Sequence, residues 1–360
     1  MGKRSVVPFG PQHPVLPEPI HLDLILEDEK VLGAVPNIGY VHRGLESLVQ
    51  KKDFNEMVYV IERICGICSF GHGMGYCMTI EEIMNIELPR RAEYLRTIWM
   101  EMSRLHSHLL WLGLLADGFG FESLFMEAWK MREKILDMFE ISTGGRVIFS
   151  VNQIGGVKKD MPQEMLDSFV KQLDAMGKDL KRMTNVFLND YTVKSRLCGV
   201  GLMTGEDAIR RGACGPMMRA SGIKQDMRKL GYAAYDDVDF EVITSRDGDG
   251  YARCAVRIGE IFQSIEIIRQ LAGKMPDTEI NVPVKGNPPK GEAYVRLEQP
   301  RGEAFFYSRT NGSKFLDRMR VRTPTFANIP ALCQILKGSE YGDVPLQILT
   351  IDPCISCTER

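Results

Sequence analysis

Two cysteine pairs with the same spacing lie far apart in this chain of 360 residues. Cys65 and Cys68 occur in RICGICSFGH, and Cys354 and Cys357 occur in DPCISCTER at the other end of the sequence. A gap of two residues lets both sulfur atoms of a pair point to the same side of the backbone, as in tetrahedral metal sites. If both pairs serve one site, the fold must bring these two distant segments together.

Composition favours reduced thiols over a disulfide framework. The nine cysteines are an odd number, and the first residues, MGKRSVVPFGPQHP, carry neither an apolar signal region nor a twin-arginine motif. No stretch reaches the roughly 18 to 20 uninterrupted apolar residues of a membrane span. We therefore expect a cytosolic chain that reaches a membrane only through other subunits. The net charge of -2 argues against a nucleic-acid partner.

Apolar periodicity predicts strands near both ends and helices between them. Residues 20–27 and 31–38 alternate as a hairpin does, and residues 292–323 are typical of short strands. The segment DFNEMVYVIERI predicts a helix that starts at an Asp53 N-cap and runs up to the first cysteine pair. Pro89 opens a long helix to about Ala116. Further helices are predicted near residues 120–140, 163–189, 204–213, 251–273 and 326–337.

These spans predict one interwoven α+β domain, residues 1–360, that is predominantly helical. Its parts are a β-rich N-terminal part (1–50), a helical core (51–280) and a C-terminal part (281–360) with strands, a last helix and the cysteine tail. No internal repeat or low-complexity linker divides the chain.

Spacing alone leaves several identities open for the cysteine pairs. They fit two unrelated buried pairs, a structural four-cysteine zinc site, a redox-active CxxC, or an iron–sulfur or other soft-metal centre. Zinc sites usually serve small modules with little core, whereas 44% of this chain is hydrophobic. A thioredoxin-like pair would need a strand-to-helix context that neither CxxC has. Thiolates suit soft transition metals.

The combined motifs resemble the large subunit of nickel–iron hydrogenases, in particular the energy-converting, Ech-type branch that associates with membranes. RxCGxCxxxH and DPCxxC are the paired signature. The resemblance extends from Pro8 to Arg360 through FGPQHPVLPEP, GYVHRGLE, ERICGICSFGH, SRLHSHLLWLG and RTPTFANIP. The same blocks resemble the quinone-site 49 kDa subunit of respiratory complex I, a subunit that has lost the four thiols. The resemblance implies the hydrogenase large-subunit fold, with a central helical bundle and small peripheral sheets near both termini.

By this resemblance the four thiolates would hold a nickel–iron centre that also carries carbon monoxide and cyanide. Cys65 and Cys354 would be terminal nickel ligands, and Cys68 and Cys357 would bridge nickel and iron. Thiolates are polarisable donors suited to a redox-active metal.

The resemblance also implies roles for residues around the metals. His72 would hydrogen-bond near a bridging sulfur. Arg301, with Pro300, would lie over the iron ligands, where its guanidinium suits anionic cyanide. Thr325, with Pro324, would cap the other cyanide. Asp352 and Asp117 resemble acidic residues above the metals, although the spacing around Asp117 differs from the better-known branches.

Two glutamates match family positions that handle protons or cations. Glu18, in LPEP, would take the proton from a terminal sulfur, with Glu46, in HRGLE, as the alternative. Glu46 also resembles a position that binds a divalent ion such as Mg²⁺ near the tail. Common hydrogenases complete that site with a histidine after the last cysteine, whereas this chain has Arg360, which cannot ligate a cation.

The remaining cysteines and two histidines have simpler interpretations. The other thiols lack partners at metal spacing and are expected to be buried: Cys77, Cys198, Cys214, Cys254 and Cys333. His106 and His108 are two residues apart on a helix and face different sides, so they cannot serve one site together.

The predicted function is the catalytic subunit of a ferredoxin-linked hydrogenase that interconverts protons and H₂. The resemblance implies a small subunit with an iron–sulfur cluster, further hydrophilic and integral-membrane subunits coupled to ion translocation, and a peripheral location on the cytoplasmic side of the membrane. The alternative is a non-catalytic complex I-like coupling subunit with a structural four-cysteine metal site.

Overall fold

The N-terminal part is a three-stranded antiparallel sheet in the computed structural model, which describes residues 4–360. Its strands, in the order β1-β2-β3, are β1 (Arg4–Phe9), β2 (His21–Glu27) and β3 (Lys30–Asn37). Leu22, Leu24 and Leu26 of β2 are buried and alternate with partly exposed residues, as a one-sided sheet requires. The predicted hairpin is confirmed, and β1, which the sequence did not reveal, pairs along the other edge of β2.

Helices dominate the middle of the chain. They are α1 (Met57–Glu62), α2 (Ser69–Met84), α3 (Arg90–Gly118), α4 (Glu122–Thr143), α5 (Gln163–Asn189), α6 (Tyr191–Leu197), α7 (Gly205–Arg210), α8 (Pro216–Arg219) and α9 (Gly250–Ala272). A two-stranded ribbon, β4 (Asn152–Gln153) and β5 (Gly156–Val157), lies between α4 and α5. The predicted helical spans near 120–140, 163–189 and 251–273 are confirmed.

The first helix differs from its prediction. It begins at Met57 and not at Asp53, whose carboxylate instead accepts from the Asn55 backbone N–H at 2.9 Å in a turn. The neighbouring Phe54 N–H donates to the Lys314 carbonyl, so pairing with a distant segment holds this stretch outside the helix. Asp53 is therefore not the N-cap.

Helix α2 was not identified from the sequence because three glycines interrupt it, each of which costs a helix about 1 kcal/mol relative to alanine. Packing explains two of them. A Cβ on Gly75 would lie 2.4 Å from the Phe306 ring, and one on Gly73 would lie 2.6 Å from Glu62. Close tertiary contact outweighs helix propensity here.

Helix α3 is the central element, and it packs against α4 and α9. Pro89 is its N-cap, one residue before the first turn in which the sequence predicts a proline. Its predicted apolar residues are all fully buried: Ile98, Leu105, Leu109, Leu112 and Leu115.

The C-terminal sheet consists of β6 (Gly291–Gln299), β7 (Gly302–Thr310) and β8 (Leu316–Arg322) in that order, all antiparallel. Gln299 pairs with Gly302, so Pro300 and Arg301 form a two-residue turn. A Cβ on Gly215, where φ is +65°, would lie 2.3 Å from the Gly302 Cα, so glycine lets the loop before α8 pack directly against this turn.

The chain ends in three helices, α10 (Pro324–Ile335), α11 (Val344–Ile351) and α12 (Ile355–Glu359). The predicted helix near 326–337 corresponds to α10. Helices α11 and α12 were not predicted, and the segment interpreted as a tail is thus largely helical. Short apolar runs such as VPLQILTI do not distinguish a helix from a strand by periodicity.

Two hydrophobic clusters meet at this last segment. The larger cluster is formed mainly by α2 to α5, α9 and the C-terminal sheet, and the smaller one lies between the N-terminal sheet and α10 and α11. Cys354 and Cys357 pack in the larger cluster, whereas Ile351 and Ile355 pack in the smaller. Across residues 4–360, no helix is both long and apolar enough to cross a membrane.

Candidate metal centre

The first cysteine pair lies in the turn between two helices. Helix α1 ends at Glu62, and Cys68 is the N-cap of α2. The Ile67 backbone N–H donates to the Cys65 sulfur, with N and Sγ 3.2 Å apart. The turn thus presents both sulfurs near the start of α2, where the helix dipole favours a thiolate.

The second pair is presented in the same way. Helix α11 ends at Ile351, Asp352 adopts a left-handed conformation with φ +56°, and Cys354 is the N-cap of α12. The Cys357 N–H donates to the Cys354 sulfur at 3.4 Å.

The fold brings all four thiols together. The Cys68 and Cys357 sulfurs are 3.3 Å apart, as are those of Cys65 and Cys354, and each side chain is buried. A disulfide bond would need about 2.05 Å between the sulfurs, so the thiols are free. The sulfurs of Cys65, Cys68 and Cys357 lie within 4.8 Å of one another, close enough to hold one metal ion.

Burial and mutual hydrogen bonding shift the pKa values of these thiols. Hydrogen bonding with Cys354 holds the pKa of Cys65 well below its ordinary value, whereas burial raises the pKa of Cys357 well above it. Without a cation, the site thus accommodates few thiolates at once. A metal would allow all four thiols to ionise, because a coordinating thiol is deprotonated.

His72 contacts one sulfur from each pair. Its Nε2 lies 3.4 Å from the sulfurs of both Cys68 and Cys357, one turn into α2. Burial lowers the pKa of His72 to about 4, so the imidazole is neutral, and in its Nε2–H tautomer it can donate to these sulfurs when they are thiolates. Its Nδ1 has no protein partner.

Arg301 and Asp352 form a buried pair beside the cysteines. Arg301 Nε donates to the Asp352 carbonyl at 2.8 Å, and its Nη2 donates to Asp352 Oδ1 at 2.9 Å. Arg301 Nη1 and Asp352 Oδ2 are buried without partners. An unpaired buried guanidinium nitrogen is costly, and an anionic ligand would satisfy it. Pro300 is buried in the same turn.

The hydroxyl of Thr325 lies at the second cysteine pair. It accepts from the Cys354 N–H at 3.1 Å and keeps its own proton available for donation. Pro324 begins α10 and fixes this turn, and Thr323 donates to the Cys357 carbonyl at 2.9 Å.

Glu18 reaches the same segment from the loop before β2. Its carboxylate accepts from the backbone N–H groups of Ile355 and Ser356, and Oε1 lies 3.7 Å from the Cys354 sulfur. Burial raises the pKa of Glu18. The carboxyl group is therefore within reach of a proton on a terminal sulfur.

Asp117 does not join the site. It is exposed near the C-terminal end of α3, whereas the four sulfurs are buried. The role expected for Asp117 gains no support from this position and stays a prediction. Because of its spacing from the SRLHSH block, Asp117 does not lie on the side of α3 that packs inward.

Both carboxylate oxygens of Glu46 already accept hydrogen bonds. Its Oε1 accepts from Arg360 Nε and the Val321 N–H, both at 2.9 Å, and its Oε2 accepts from Arg320 Nη1 at 3.0 Å. Against the cost of burial, these hydrogen bonds lower the pKa of Glu46. Two guanidinium groups occupy the place where Mg²⁺ would need further oxygen ligands, so the residues do not fit a divalent ion here.

Several functional contacts were not predicted. Arg43 joins the two cysteine segments, since it donates to the carbonyls of Arg63 at 2.9 Å, Ile64 at 2.6 Å and Ser356 at 3.4 Å. Arg104 donates to the carbonyls of Glu298 and Gln299 and thereby supports the turn that carries Arg301. The sequence signal that could have indicated these contacts is the arginine in each of the HRG and SRLH blocks.

The histidine prediction is confirmed, and the cysteine prediction holds in part. His106 Nδ1 accepts from Arg132 Nε at 3.0 Å, whereas His108 pairs with Glu260 at 2.9 Å. Of the other thiols, Cys77, Cys214 and Cys254 are buried and Cys333 is partly buried, but Cys198 is exposed.

Comparison with known sequences agrees with this geometry. The family sequence model of the respiratory-chain NADH dehydrogenase 49 kDa subunit matches residues 118–287 and 282–360. The family sequence model of nickel-dependent hydrogenases matches residues 43–116. The carbon monoxide-induced hydrogenase of Rhodospirillum rubrum is 38% identical over 98% of this chain and 99% of its own length.

The chain belongs to the family of energy-converting hydrogenase large subunits and complex I 49 kDa subunits. The membrane-bound hydrogenase subunit alpha of Pyrococcus furiosus is 36% identical over 98% of the chain and 87% of its own length. On the complex I side, an NADH-quinone oxidoreductase subunit from Chloroherpeton thalassium is 34% identical over the whole chain and 88% of its own length.

The family fold is confirmed by a solved structure. A chain of the membrane-bound sulfane sulfur reductase, an archaeal respiratory membrane complex, superposes with a TM-score of 0.94 at 30% identity, over 99% of this chain and 98% of its own. The predicted hydrogenase large-subunit fold, with its helical centre and small peripheral sheets, is therefore correct.

Proposed function

We propose that this chain is the catalytic subunit of a nickel–iron hydrogenase that interconverts protons, electrons and H₂. The observation that carries the proposal is the buried group of four free thiols, in which two pairs from distant segments meet with sulfurs 3.3 Å apart. Free thiols packed this closely in a core offer four soft donor atoms of the kind that suits a transition metal.

The residues present fit the implied centre. Cys65 and Cys354 would be terminal ligands to nickel, and Cys68 and Cys357, the pair that His72 contacts, would bridge to iron. When bound, a nickel–iron centre with carbon monoxide and cyanide ligands supplies the redox-active site at which H₂ is formed or split. Arg301 Nη1, which has no protein partner, suits an anionic ligand such as cyanide.

The surrounding side chains fix charge and orientation at the sulfurs. His72 donates from neutral Nε2–H to both bridging sulfurs, which tempers their negative charge without adding a cation. Asp352 holds Arg301 in place through two hydrogen bonds, and Thr325 orients the Cys354 backbone. These groups are positioned before any substrate arrives.

Glu18 is the proposed first proton acceptor. Its Oε1 lies 3.7 Å from the Cys354 sulfur, and two backbone N–H groups keep the carboxyl oriented towards that atom. A proton on the sulfur passes to Glu18 and, from this partly exposed side chain, on to solvent. Glu46 is the weaker candidate, because two arginines neutralise it.

Partner subunits follow from the same reasoning. Within residues 4–360 the cysteines of the centre are the one grouping of metal-binding side chains, so electrons must come from another chain. We propose a small subunit with an iron–sulfur cluster, ferredoxin as the donor, and membrane subunits coupled to ion translocation on the cytoplasmic side. The names of relatives, such as the membrane-bound hydrogenase subunit alpha, support membrane association.

The experiment is metal analysis of the purified complex together with H₂ evolution from reduced ferredoxin. We expect about one nickel and one iron per copy of this chain beyond the iron of the clusters, as four thiolates around a binuclear site require, and H₂ evolution that depends on that nickel. Stoichiometric zinc without nickel would overturn the proposal.

A second candidate is a non-catalytic, complex I-like coupling subunit with a structural metal. The 49 kDa subunit model supports it, because it matches more of the chain than the nickel-dependent hydrogenase model does. Zinc at the four thiols and no H₂ evolution by an intact complex would favour this function.

A further inference from the structure

Glu62 is a buried carboxyl that the proposed chemistry does not yet use. It is the last residue of α1, three positions before Cys65, and it is fully buried. Its Oε2 accepts from the Ser150 N–H at 3.0 Å, whereas its Oε1 has no partner. A buried carboxyl oxygen without a donor is costly unless the group carries a proton or meets water.

The groups around Glu62 leave it close to ionisation at neutral pH. Lys158 is the positively charged side chain that interacts with Glu62. Its Nζ donates to the Ser150 carbonyl at 3.0 Å and to the Tyr59 hydroxyl at 2.7 Å. From α2, Gly73 lies against the carboxyl, and Cys77 is close enough for the charge of Glu62 to raise the pKa of its thiol. Burial, opposed by Ser150 and Lys158, raises the pKa of Glu62 to about 7.

A surface cavity reaches the residues that contact this carboxyl. It has a volume of about 380 Å³, and its lining includes Tyr59, Asn152 and Lys158. Asn152 Nδ2 donates to the Phe70 carbonyl, and its Oδ1 is buried without a partner. Asn152 lines the cavity, so its unpaired Oδ1 is an acceptor for water that enters from the surface, and the unpaired Oε1 of Glu62 lies behind this lining.

The other side of Glu62 faces the start of α2. A Cβ on Gly73 would lie 2.7 Å from Glu62 Oε1, and Gly73 directly follows His72. The loop that carries Ser150 is fastened to the same helix end, since Asn152 donates to the Phe70 carbonyl and Ser69 to the Val147 carbonyl. Glu62 therefore lies between the cavity and the helix that carries Cys68 and His72.

We propose that Glu62 is a buried proton carrier between this cavity and the cysteine centre, on a route separate from Glu18. The inference rests on the proposed hydrogenase function and adds a residue to it. During H₂ formation the carboxylic acid releases its proton through water to a thiolate sulfur of the centre, and a proton from bulk solvent, carried by water in the cavity, reprotonates the carboxylate. One proton is carried in each cycle of Glu62, no electrons move, and H₂ oxidation reverses the direction.

The test uses the purified complex with four variants of this chain. Glu62→Gln keeps the shape of the side chain but cannot exchange a proton, and Glu62→Asp restores a carboxyl. Lys158→Met removes the neighbouring charge. The exposed α2 residue Glu82, changed to Gln, is the matched control.

Infrared difference spectra recorded during a pH titration detect the carboxyl directly. We expect a carboxylic-acid C=O band that is lost near neutral pH in the wild type, is absent in Glu62→Gln, and persists to higher pH in Lys158→Met. The Glu82→Gln variant should keep the wild-type band. Ionisation of Glu62 throughout the titration would overturn the proposal.

Turnover separates proton carriage from a structural role. With nickel content and metal-ligand infrared bands unchanged, Glu62→Gln should slow H₂ evolution about tenfold or more and change its pH profile, as loss of a proton-transfer group does. Glu62→Asp should recover most of the rate. A wild-type rate and pH profile in Glu62→Gln would overturn the proposal, whereas absence of nickel from the wild type would overturn the proposed function instead.

Discussion

At the residue scale, two of the four cysteines are helix N-caps. Cys68 precedes α2 and Cys354 precedes α12, so the positive ends of two helix dipoles point towards the sulfurs. The sequence showed the CxxC spacing of these cysteines but not their positions at helix N-termini. The unpaired atoms of Arg301 and Asp352 became visible once folding placed both residues beside the cysteines.

Loss of one bridging thiol should remove the metal. We expect Cys357→Ser to contain less than about a tenth of the wild-type nickel, because a hard hydroxyl replaces a soft thiolate. Nickel in the purified complex is the measurement. The exposed Cys198, changed to Ser, is the control and should keep full occupancy. Full nickel in Cys357→Ser would exclude this thiol as a ligand.

The proton step should depend on Glu18. We expect Glu18→Gln to reduce H₂ turnover about 10² to 10⁴-fold, the range for loss of a positioned acid–base group, while nickel remains bound. Turnover and nickel are measured on the same preparation, beside Glu46→Gln. A fast Glu18→Gln enzyme combined with a slow Glu46→Gln enzyme would transfer the role to Glu46.

Glu62 should also make stability depend on pH. Its pKa is raised in the folded chain from 4.5 to about 7, so folding binds its proton more tightly. That stabilisation is fully present below about pH 4.5 and is lost as pH rises through about 7. We expect the free energy of unfolding of the metal-free chain to fall over this range by roughly 3 kcal/mol more than that of Glu62→Gln. Urea unfolding at several pH values measures the difference, and parallel curves would contradict it.

At the element scale, the last nine residues are held by arginines and by backbone hydrogen bonds. Glu46 binds Arg360, Glu359 accepts from the Val41 N–H at 2.5 Å, and Arg43 donates to the Ser356 carbonyl. The sequence suggested that Arg360 could not ligate a cation. It could not show that the Arg360 guanidinium would bind the Glu46 carboxylate in place of a cation, because that contact depends on where α12 lies.

The closure of this segment should therefore not need a divalent ion at Glu46, apart from the metal proposed at the cysteines. Hydrogen exchange at the amides of residues 354–360 should be unchanged by EDTA in the wild type, because Arg360 supplies the positive charge. Arg360→Gln should speed that exchange about tenfold or more, in line with about 1.5 to 3 kcal/mol for a hydrogen bond to a charged group. The exposed Arg182, changed to Gln, is the control. Protection that disappears with EDTA while the nickel content is unchanged would show that a divalent ion at Glu46 closes the segment.

Elements with strong periodicity were predictable, and those set by close packing were not. Helix α3 and the β2–β3 hairpin match their predicted spans closely. Helix α2 was obscured because Gly73 and Gly75 are required by Glu62 and Phe306, residues distant in sequence or in another element. The prediction of one domain with three successive parts stays a prediction.

At the scale of the whole molecule, two distant chain segments form one site where two hydrophobic clusters meet. Cys65 and Cys68 lie in the larger cluster, and α12 reaches them while Ile355 packs in the smaller cluster. Ligand identity was accessible from motif resemblance, but the meeting point depends on topology. The cavity beside Glu62 depends on topology as well, since its lining combines α1, the β4–β5 ribbon and residues 281–284.

The most direct test of the central claim is the infrared spectrum of the purified complex, read together with nickel content. A nickel–iron centre held by these four thiols predicts bands from bound carbon monoxide and cyanide, with about one nickel per chain, and loss of both in Cys357→Ser. A fully assembled wild-type complex with zinc at the thiols and no such bands would contradict the account.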